Sequence, residues 1–188
     1  SCSGKTTLLN LLGLLDRPDR GAVRFAGEDT EALSENARSD LRRDRFGFVF
    51  QTFNLIAVLS AEENVSYPMA LAGQNGEKRK THARELLSAV GLAEKLSVRP
   101  DLLSGGQRQR VAIARALANE PAAVFADEPT ANLDSKTGAQ LLDLMQGLNR
   151  DHGITFLFSS HDGAVLERAR RVVLLQDGEL KSDEVRPD

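Results

Sequence analysis

A continuous apolar run that ends in two carboxylates restricts the fold of this chain more than any other feature. The run covers residues 122–126, between Pro121 and the pair Asp127 and Glu128. A strand with one exposed face alternates apolar and polar residues, so an unbroken apolar run predicts a strand that is buried on both faces. Such strands are typical of parallel sheets in α/β proteins. We therefore expect an α/β fold with this strand in its core.

The two carboxylates at the end of the run are candidates for chemistry. Successive side chains of a strand point to opposite faces, so Asp127 and Glu128 should have different roles. A natural division assigns one carboxylate to Mg²⁺ and the other to an attacking water. Two solvated acids at a strand end are the simpler alternative, but the apolar run that leads straight into them favours the functional interpretation.

The first residues contain the second half of a phosphate-binding loop. Gly4, Lys5 and Thr6 match the end of the pattern GxxxxGK[ST]. In this pattern the backbone wraps a phosphate, the lysine reaches the β- and γ-oxygens and the hydroxyl binds Mg²⁺. Such triplets also occur by chance, but a leucine-rich stretch follows here, and we expect residues 8–15 to form a buried helix. Because the chain starts inside the pattern, we expect N-terminal strands before Ser1.

A second candidate anion site lies in the middle of the chain. Ser104, Gly105, Gly106 and Gln107 lead into an amphipathic pattern that predicts a helix through Leu117. Two glycines at a helix N-terminus leave backbone N–H groups accessible, and the helix dipole adds partial positive charge. Alone, the motif is more often only a turn before a surface helix. The other motifs of the chain favour an anion site.

The remaining pattern predicts further strands and helices. A strand over residues 45–50 places Gln51 at its carboxyl end, and a strand over residues 154–160 is followed directly by His161. A capping box at Ser60 predicts a helix, with a kink or early end at Pro68. Four further elements are expected: a polar loop over residues 74–80, a helix over 81–90, a last core strand over 171–176 and an edge strand over 179–182.

Composition excludes several classes of protein. A formal net charge of −3 gives no reason to expect nucleic acid as a partner. A single cysteine, Cys2, rules out an internal disulfide and suits a reducing compartment. No apolar run approaches the roughly 20 residues that span a bilayer. We therefore expect a cytosolic protein whose membrane role depends on a partner.

Taken together, the motifs resemble those of the nucleotide-binding domain of ABC (ATP-binding cassette) transporters. The resemblance covers essentially the whole chain, and all of the motifs stand in the family's order. They are a truncated Walker A over residues 1–7, the Q-loop residue Gln51, the signature over 103–107, Walker B over 124–128, the D-loop over 132–134 and the switch residue His161. The surrounding sequence is most similar to the subgroup of lipoprotein-release, macrolide-export and cell-division ATPases.

The resemblance implies a particular architecture and activity. It implies a P-loop NTPase (RecA-like) core with a mostly parallel sheet and a small all-helical signature subdomain. Residues 1–188 would form one partial ABC ATPase domain, with the core in 1–51 and 120–188 and the helical subdomain in 52–119. The chain would be an ATPase that uses ATP and Mg²⁺.

The resemblance also implies roles for individual residues. Asp127 would arrange Mg²⁺ together with Thr6 and Gln51, Glu128 would be the general base, and His161 would hold the γ-phosphate. Lys5 would act in both binding and catalysis. Nucleotide binding is assigned to Ser1, Cys2, Ser3, Gly4, Lys5, Thr6, Thr7 and Gln51. One departure is Cys2, which stands where the family's loop often has glycine.

The implied partners follow from the family's head-to-tail dimer. Ser104, Gly105, Gly106 and Gln107 would contact the ATP bound by a second ABC ATPase subunit, in a homodimer, and Asp134 would couple the two sites. An integral membrane permease would be the other partner. It would hold the chain on the cytoplasmic, inner face of the cell membrane as a peripheral subunit that powers export, lipoprotein release or mechanotransmission.

Several alternatives remain open at this stage. One is a regulatory ABC ATPase for a cell-division or cell-wall complex, which the sequence does not separate from a transporter subunit. Another is a soluble ABC ATPase of DNA repair or translation, but the compact insert between Gln51 and Leu103 and the single cassette argue against it. A non-functional gene fragment is a further alternative. It is disfavoured by the intact residues Lys5, Asp127, Glu128 and His161.

Overall fold

A parallel sheet lies at the centre of the protein, and the computed structural model describes residues 4–186 of the chain. Its strands are β3 (Phe46–Val49), β4 (Ala123–Asp127) and β5 (Thr155–Ser159), in the spatial order β3-β4-β5. Both pairs of strands are parallel, with Val49 opposite Ala126 and Asp127 opposite Ser159. The predictions made for Ser1, Cys2 and Ser3 fall outside the described residues.

Helices make the connections that parallel strands require. Between β3 and β4 the chain forms α3 (Ala61–Leu71), α4 (Gly76–Ala89) and α5 (Gly105–Leu117), and between β4 and β5 it forms α6 (Ser135–His152). Two short 3₁₀ turns precede α5, at Ala93–Lys95 and Pro100–Leu102. The other helices are α1 (Lys5–Leu12), α2 (Glu35–Arg45) and α7 (Gly163–Arg168). Among residues 4–186, none of these helices is long and apolar enough to cross a membrane.

Both faces of β4 are buried, as the apolar run predicts. Val124 and Ala126 belong to the larger buried cluster, which joins the sheet to residues of α3, α4, α5 and α6. Ala123 and Phe125 belong to a smaller cluster on the opposite face, with Leu9 of α1. This alternation fixes β4 between two helical layers, so the prediction of a buried, parallel strand in an α/β fold is confirmed.

Two short antiparallel pairs complete the described residues. One pairs β1 (Arg24–Phe25) with β2 (Glu28–Asp29), and the other pairs β6 (Arg171–Gln176) with β7 (Glu179–Val185). The prediction of a last core strand at 171–176 is therefore wrong for the described part of the chain. Val173 and Leu174 are 42% and 51% exposed, because within residues 4–186 β6 pairs with no strand other than β7.

The polar loop predicted over residues 74–80 is also wrong. Helix α4 already begins at Gly76, where the side chain of Asn75 accepts a hydrogen bond from the backbone of Glu77. The residues that follow include Glu77, Lys78 and Lys80, which are good helix formers although they are polar. Intrinsic propensity and a cap, rather than an apolar stripe, thus determine where this helix begins.

Two expectations about burial and helix length need correction. Helix α3 continues through Pro68 to Leu71, so the early end expected at Pro68 is not observed. The leucine-rich stretch after the phosphate-binding loop is helical only to Leu12 and is only partly covered: Leu9 and Leu14 are buried, whereas Leu15 is 43% exposed. The stretch has leucines on more faces than one packed side of a helix can bury.

A glycine in β3 allows α5 to pack closely against the sheet. A Cβ atom at Gly47 would lie 2.3 Å from the carbonyl oxygen of Ala116, a backbone atom that cannot rotate away. We expect Gly47→Ala to lower the free energy of unfolding by about 3 kcal/mol, since the helix must move off the sheet. Chemical denaturation measures this change.

A matched control for this prediction lies on the exposed side of α6. A Cβ atom at Gly147 would meet no atom within 4 Å. Because alanine favours a helix more than glycine does, Gly147→Ala should raise the stability by about 0.5–1 kcal/mol. A Gly47→Ala protein as stable as the wild type would show that α5 does not pack at this distance.

Candidate active site

Four of the candidate side chains meet at the carboxyl edge of the parallel sheet. Gln51 follows β3, Asp127 ends β4 with Glu128 directly after it, and His161 follows β5. Because the strands are parallel, their carboxyl ends lie side by side, which is where α/β proteins bind ligands. A cavity of about 260 Å³, here called the strand-end cavity, is lined by Thr6, Gln51, Asp127, Glu128, Ser159 and His161.

Oxygen donors from α1 and β4 meet in this cavity. The Thr6 hydroxyl lies 3.1 Å and 3.3 Å from the two carboxylate oxygens of Asp127, to which it donates a hydrogen bond. Among residues 4–186 there is no cluster of three or more His, Cys, Asp or Glu side chains that could hold a metal ion. One carboxylate, a hydroxyl and the Gln51 amide fit Mg²⁺, which keeps several waters and takes substrate phosphate oxygens as ligands.

The N-terminus of α1 brings Thr6 to the same site. Gly4 precedes the helix with a φ of 80°, a left-handed conformation that glycine adopts at little cost. The first turn contains no acidic residue, and Lys5, Thr6 and Thr7 are its first three members. A helix N-terminus with a lysine and without acidic side chains favours an anion such as phosphate.

The Glu128 carboxylate is held by two polar neighbours. Its Oε1 lies 2.8 Å from Nδ1 of His161, and its Oε2 accepts a 3.3 Å hydrogen bond from the Ser160 hydroxyl. The backbone N–H of Glu128 donates a 2.8 Å hydrogen bond to the Ser159 carbonyl. The φ of Glu128 is 45°, in the left-handed region. The Glu128 side chain is 15% exposed, whereas that of His161 is 81% exposed. Asp127 and Glu128 therefore have different partners.

The segment Ser104, Gly105, Gly106 and Gln107, here called the signature segment, begins α5 elsewhere on the surface. Ser104 and Gln107 form a capping box: the Ser104 hydroxyl accepts from the Gln107 backbone at 3.2 Å, and the Gln107 side chain accepts from the Ser104 backbone at 2.9 Å. The same signal was predicted from the sequence at Ser60 but not at Ser104. A Cβ atom at Gly106 would lie 2.6 Å from Thr137, so this position requires glycine.

Asp134 lies beside the signature segment and caps α6. Its carboxylate accepts hydrogen bonds from the Thr137 hydroxyl at 2.6 Å and the Thr137 backbone N–H at 3.0 Å. These hydrogen bonds lower the pKa of Asp134, with the hydroxyl having the larger effect. A fixed negative charge therefore stands at this surface.

The two sets of candidate residues line two different cavities. The cavity at the signature segment has a volume of about 430 Å³ and is also lined by Asn132, Leu133 and Asp134. It shares no lining residue with the strand-end cavity. Within one chain, the structure brings together Thr6, Gln51, Asp127, Glu128 and His161, but not the signature segment.

Several contacts at these sites were missed by sequence reasoning. Ser160 binds Glu128, and the Asn132 side chain donates to the Gln51 carbonyl at 2.8 Å. Thr130 donates to the Asp162 carboxylate at 3.0 Å. Adjacency to the motifs was the only available signal, because each contact joins residues that are distant in sequence.

The chain is similar to known ABC transporter proteins. The family model described as "ABC transporter" matches residues 1–131. The macrolide export ATP-binding/permease protein MacB of Rhodopseudomonas palustris is 49% identical over 183 residues, which are 97% of this chain and 28% of that protein. An uncharacterised ABC transporter ATP-binding protein of Methanocaldococcus jannaschii is 49% identical over 94% of this chain and 79% of its own length.

Solved structures share the fold as well. The ATP-binding cassette MJ0796, described as a dimer in a post-hydrolysis state with ADP and Pi, superposes with a TM-score of 0.90 at 43% identity. The alignment covers 99% of this chain and 82% of that one. The chain spans little more than a quarter of the length of two MacB relatives, 28% and 26%. The P-loop NTPase fold of the ABC ATPases is thus the fold of this chain.

Proposed function

This chain belongs to the ABC transporter family, and from that premise we propose that it binds Mg-ATP and hydrolyses it to power a membrane partner. One observation carries the proposal: the strand-end cavity brings oxygen donors for Mg²⁺ next to a carboxylate that is paired with a histidine. Hydrolysis of a phosphate anhydride needs both features, a neutralised phosphate and an oriented water.

The side chains that bind the nucleotide come from α1 and from the strand ends. Lys5, Thr7 and the N-terminus of α1, with Gly4 before it, bind the phosphates. Thr6, Gln51 and Asp127 would hold Mg²⁺ and its waters. When bound, this ion neutralises charge on the phosphate oxygens.

Glu128 accepts a proton from the attacking water. His161 and Ser160 contact its two carboxylate oxygens, so that the carboxylate is already oriented before substrate binds. His161 is largely exposed and lines the cavity. We assign it the contact to the γ-phosphate. Catalysis then depends on positioning and electrostatics rather than on a covalent intermediate.

A second copy of the chain completes each site. The signature segment and Asp134 line a cavity separate from that of Thr6 and Asp127, so one chain does not bring them onto one nucleotide. In a two-fold dimer, the signature segment of each subunit faces the strand-end cavity of the other. We assign the core to residues 1–51 and 120–188 and the signature subdomain to 52–119.

The membrane partner is a permease, as the name of the MacB relatives indicates for those proteins. The loop after Gln51 exposes Ile56 and Val58, and the following helix α3 exposes Tyr67 and Leu71. The Asn64 side chain bonds to both the N–H and the carbonyl of Ile56, at 2.8 Å and 3.1 Å, and so holds this loop against α3. These apolar side chains are the surface that a permease would cover, at the cytoplasmic face of the membrane.

The role of Asp127 in holding Mg²⁺ is tested by titrating the ion. In the full-length protein, Asp127→Asn should raise the Mg²⁺ concentration for half-maximal ATP hydrolysis by about tenfold or more, because the neutral amide attracts the ion less. Binding of a fluorescent ATP analogue in EDTA should stay close to the wild-type value.

A control variant separates this effect from a general change in surface charge. Asp143 is an exposed carboxylate on α6 that pairs with Arg168 at 3.2 Å. Asp143→Asn should leave the Mg²⁺ dependence unchanged. An Asp127→Asn protein with the wild-type Mg²⁺ dependence would remove Asp127 from the ion site.

A further inference from the structure

Two arginines on one face of α5 contact the residues that follow Gln51, here called the Gln51 loop (residues 51–55). Arg108 and Arg115 are seven residues apart, which is two helical turns. Arg115 donates from Nη2 to the Phe53 carbonyl at 2.9 Å and from Nη1 to the Asn54 carbonyl. The guanidinium carbon of Arg108 lies 5.3 Å from the centre of the Phe53 ring. One face of α5 thus contacts both the backbone and the side chain of this segment.

The Gln51 loop has an unusual backbone conformation. Phe53 and Asn54 have φ values of 63° and 47°, so two consecutive residues other than glycine are left-handed. Short local hydrogen bonds accompany this turn, from the Phe53 N–H to Phe50 at 3.0 Å and from the Asn54 N–H to Thr52 at 2.7 Å. A left-handed conformation at a bulky residue persists only when surrounding contacts impose it. The carbonyl contacts of Arg115 are of this kind.

The guanidinium of Arg115 is itself largely removed from water. Burial lowers the pKa of Arg115 below its ordinary value. A charged group in this environment must be compensated by hydrogen bonds, and two of those that Arg115 makes go to main-chain carbonyls of a loop. This arrangement fixes the path of the loop in a way that a hydrophobic contact would not, because the planar fork specifies two acceptor positions.

Gln51, at the start of this loop, is hydrogen-bonded to Asn132, which follows β4 in the chain. Gln51, two residues before Phe53, receives a 2.8 Å hydrogen bond on its carbonyl from the Asn132 side chain. Gln51 itself lines the strand-end cavity with Thr6 and Asp127. The backbone around Gln51 is therefore held from both directions, by Asn132 and by Arg115.

We propose that Arg115 is a positioning residue for Gln51: it imposes the left-handed turn at Phe53 and Asn54 and thereby keeps the Gln51 amide at the strand-end cavity. The inference rests on the proposed function, since Gln51 acts there on Mg²⁺. It also makes the Gln51 loop and α5, the helix that the signature segment begins, move together. Arg115 contributes no atom to the nucleotide site and acts only through the loop.

Hydrogen exchange tests the structural part of the proposal without any nucleotide. In Arg115→Gln, the amides of residues 51–55 should exchange about tenfold faster than in the wild type, since contacts that hold the turn are lost. Arg168→Gln is the matched control: Arg168 also donates to a backbone carbonyl and to a carboxylate, but on α7 and α6. It should leave residues 51–55 unchanged. Unchanged exchange in Arg115→Gln would overturn the proposal.

A double-mutant cycle tests whether Arg115 acts through Gln51. We expect Gln51→Ala and Arg115→Gln each to raise the Mg²⁺ concentration for half-maximal ATP hydrolysis by about tenfold, the usual effect of losing a supporting partner. The double variant should need no more Mg²⁺ for half-maximal hydrolysis than either single variant, because without the Gln51 side-chain amide Arg115 has no Mg²⁺ ligand to position. Multiplied shifts in the double variant would show that Arg115 acts independently of Gln51.

A rescue variant distinguishes loop conformation from general loss of stability. Asn54→Gly supplies a residue that adopts a positive φ without help, so Arg115→Gln with Asn54→Gly should recover part of the wild-type Mg²⁺ dependence and slower exchange. No recovery would contradict a role through the turn. If the wild type itself did not hydrolyse ATP, the proposed function would fail, whereas the exchange experiment would still decide whether Arg115 holds the loop.

Discussion

Glu128→Gln should lower the rate of ATP turnover by about 10²–10⁴-fold, the usual contribution of a general base, while Mg-ATP still binds. Gln has nearly the same shape, so it keeps the packing at the end of β4, but its amide does not accept a proton from water. Turnover is measured as phosphate release from the full-length protein, and binding with a fluorescent nucleotide. Light scattering of the same variant should show a doubled mass with Mg-ATP, since the closed dimer is not released by hydrolysis.

A control and a contradictory result make this test specific. Glu167 is an exposed carboxylate on α7, outside the strand-end cavity. Glu167→Gln should turn over ATP at the wild-type rate. If Glu128→Gln did the same, Glu128 would not be the base, and its contacts to His161 and Ser160 would have only a structural role. A mass that stays monomeric despite ATP binding would mean that dimerisation requires the membrane partner.

Two inactive variants should restore each other's activity when they form one dimer. Lys5→Ala removes the proposed phosphate ligand next to Thr6 of the strand-end cavity, and Ser104→Arg places a long side chain at the signature segment and removes its cap. Each homodimer has two damaged sites. A heterodimer, purified through two different tags, combines the intact Lys5 of one subunit with the intact Ser104 of the other, and should retain about half of the wild-type turnover.

The expected restoration depends on the separation of the two cavities. A heterodimer of Lys5→Ala with Glu128→Gln is the matched control, because both changes affect the strand-end cavity and no intact pair forms. It should stay inactive. If the Lys5→Ala and Ser104→Arg heterodimer were as inactive as this control, the signature segment would act on its own subunit's nucleotide, and the proposed dimer would be wrong. Circular dichroism should confirm that the Ser104→Arg subunit is folded, since loss of an N-cap costs about 1 kcal/mol.

The part of the fold that the sequence predicted well is the part with strong local periodicity. The buried strand β4 was predicted because consecutive apolar residues require cover on both faces, and Val124 and Phe125 are indeed in different clusters. The carboxyl ends of β3 and β5 could be placed beside it for the same reason. Predictions were weaker where a polar segment forms a helix, as at the start of α4, because propensity and capping leave no apolar pattern to read.

Burial could be predicted only as far as each element has a neighbour. The apolar residues of β6 led to the expectation of a core strand, yet in residues 4–186 this strand pairs only with β7 and stays largely exposed. The leucines of residues 8–15 were expected to be buried in one helix, yet α1 ends at Leu12 and Leu15, beyond its end, is exposed. An apolar pattern states what a segment favours, but the packing partner decides how much surface is covered.

By itself, the sequence determined which chemical groups this protein has and on which elements they lie. The order of its motifs and the turns and strand ends that carry them are local properties. The amino-acid sequence alone is therefore enough to predict Lys5, Asp127, Glu128 and His161 as candidate site residues. Only the tertiary structure decided which of these groups meet. It pairs Thr6 with Asp127, sends the signature segment to a separate cavity and brings Arg115 to the carbonyls of Phe53 and Asn54. Those contacts join residues more than sixty positions apart, and packing between elements, rather than any local preference, fixes their distances.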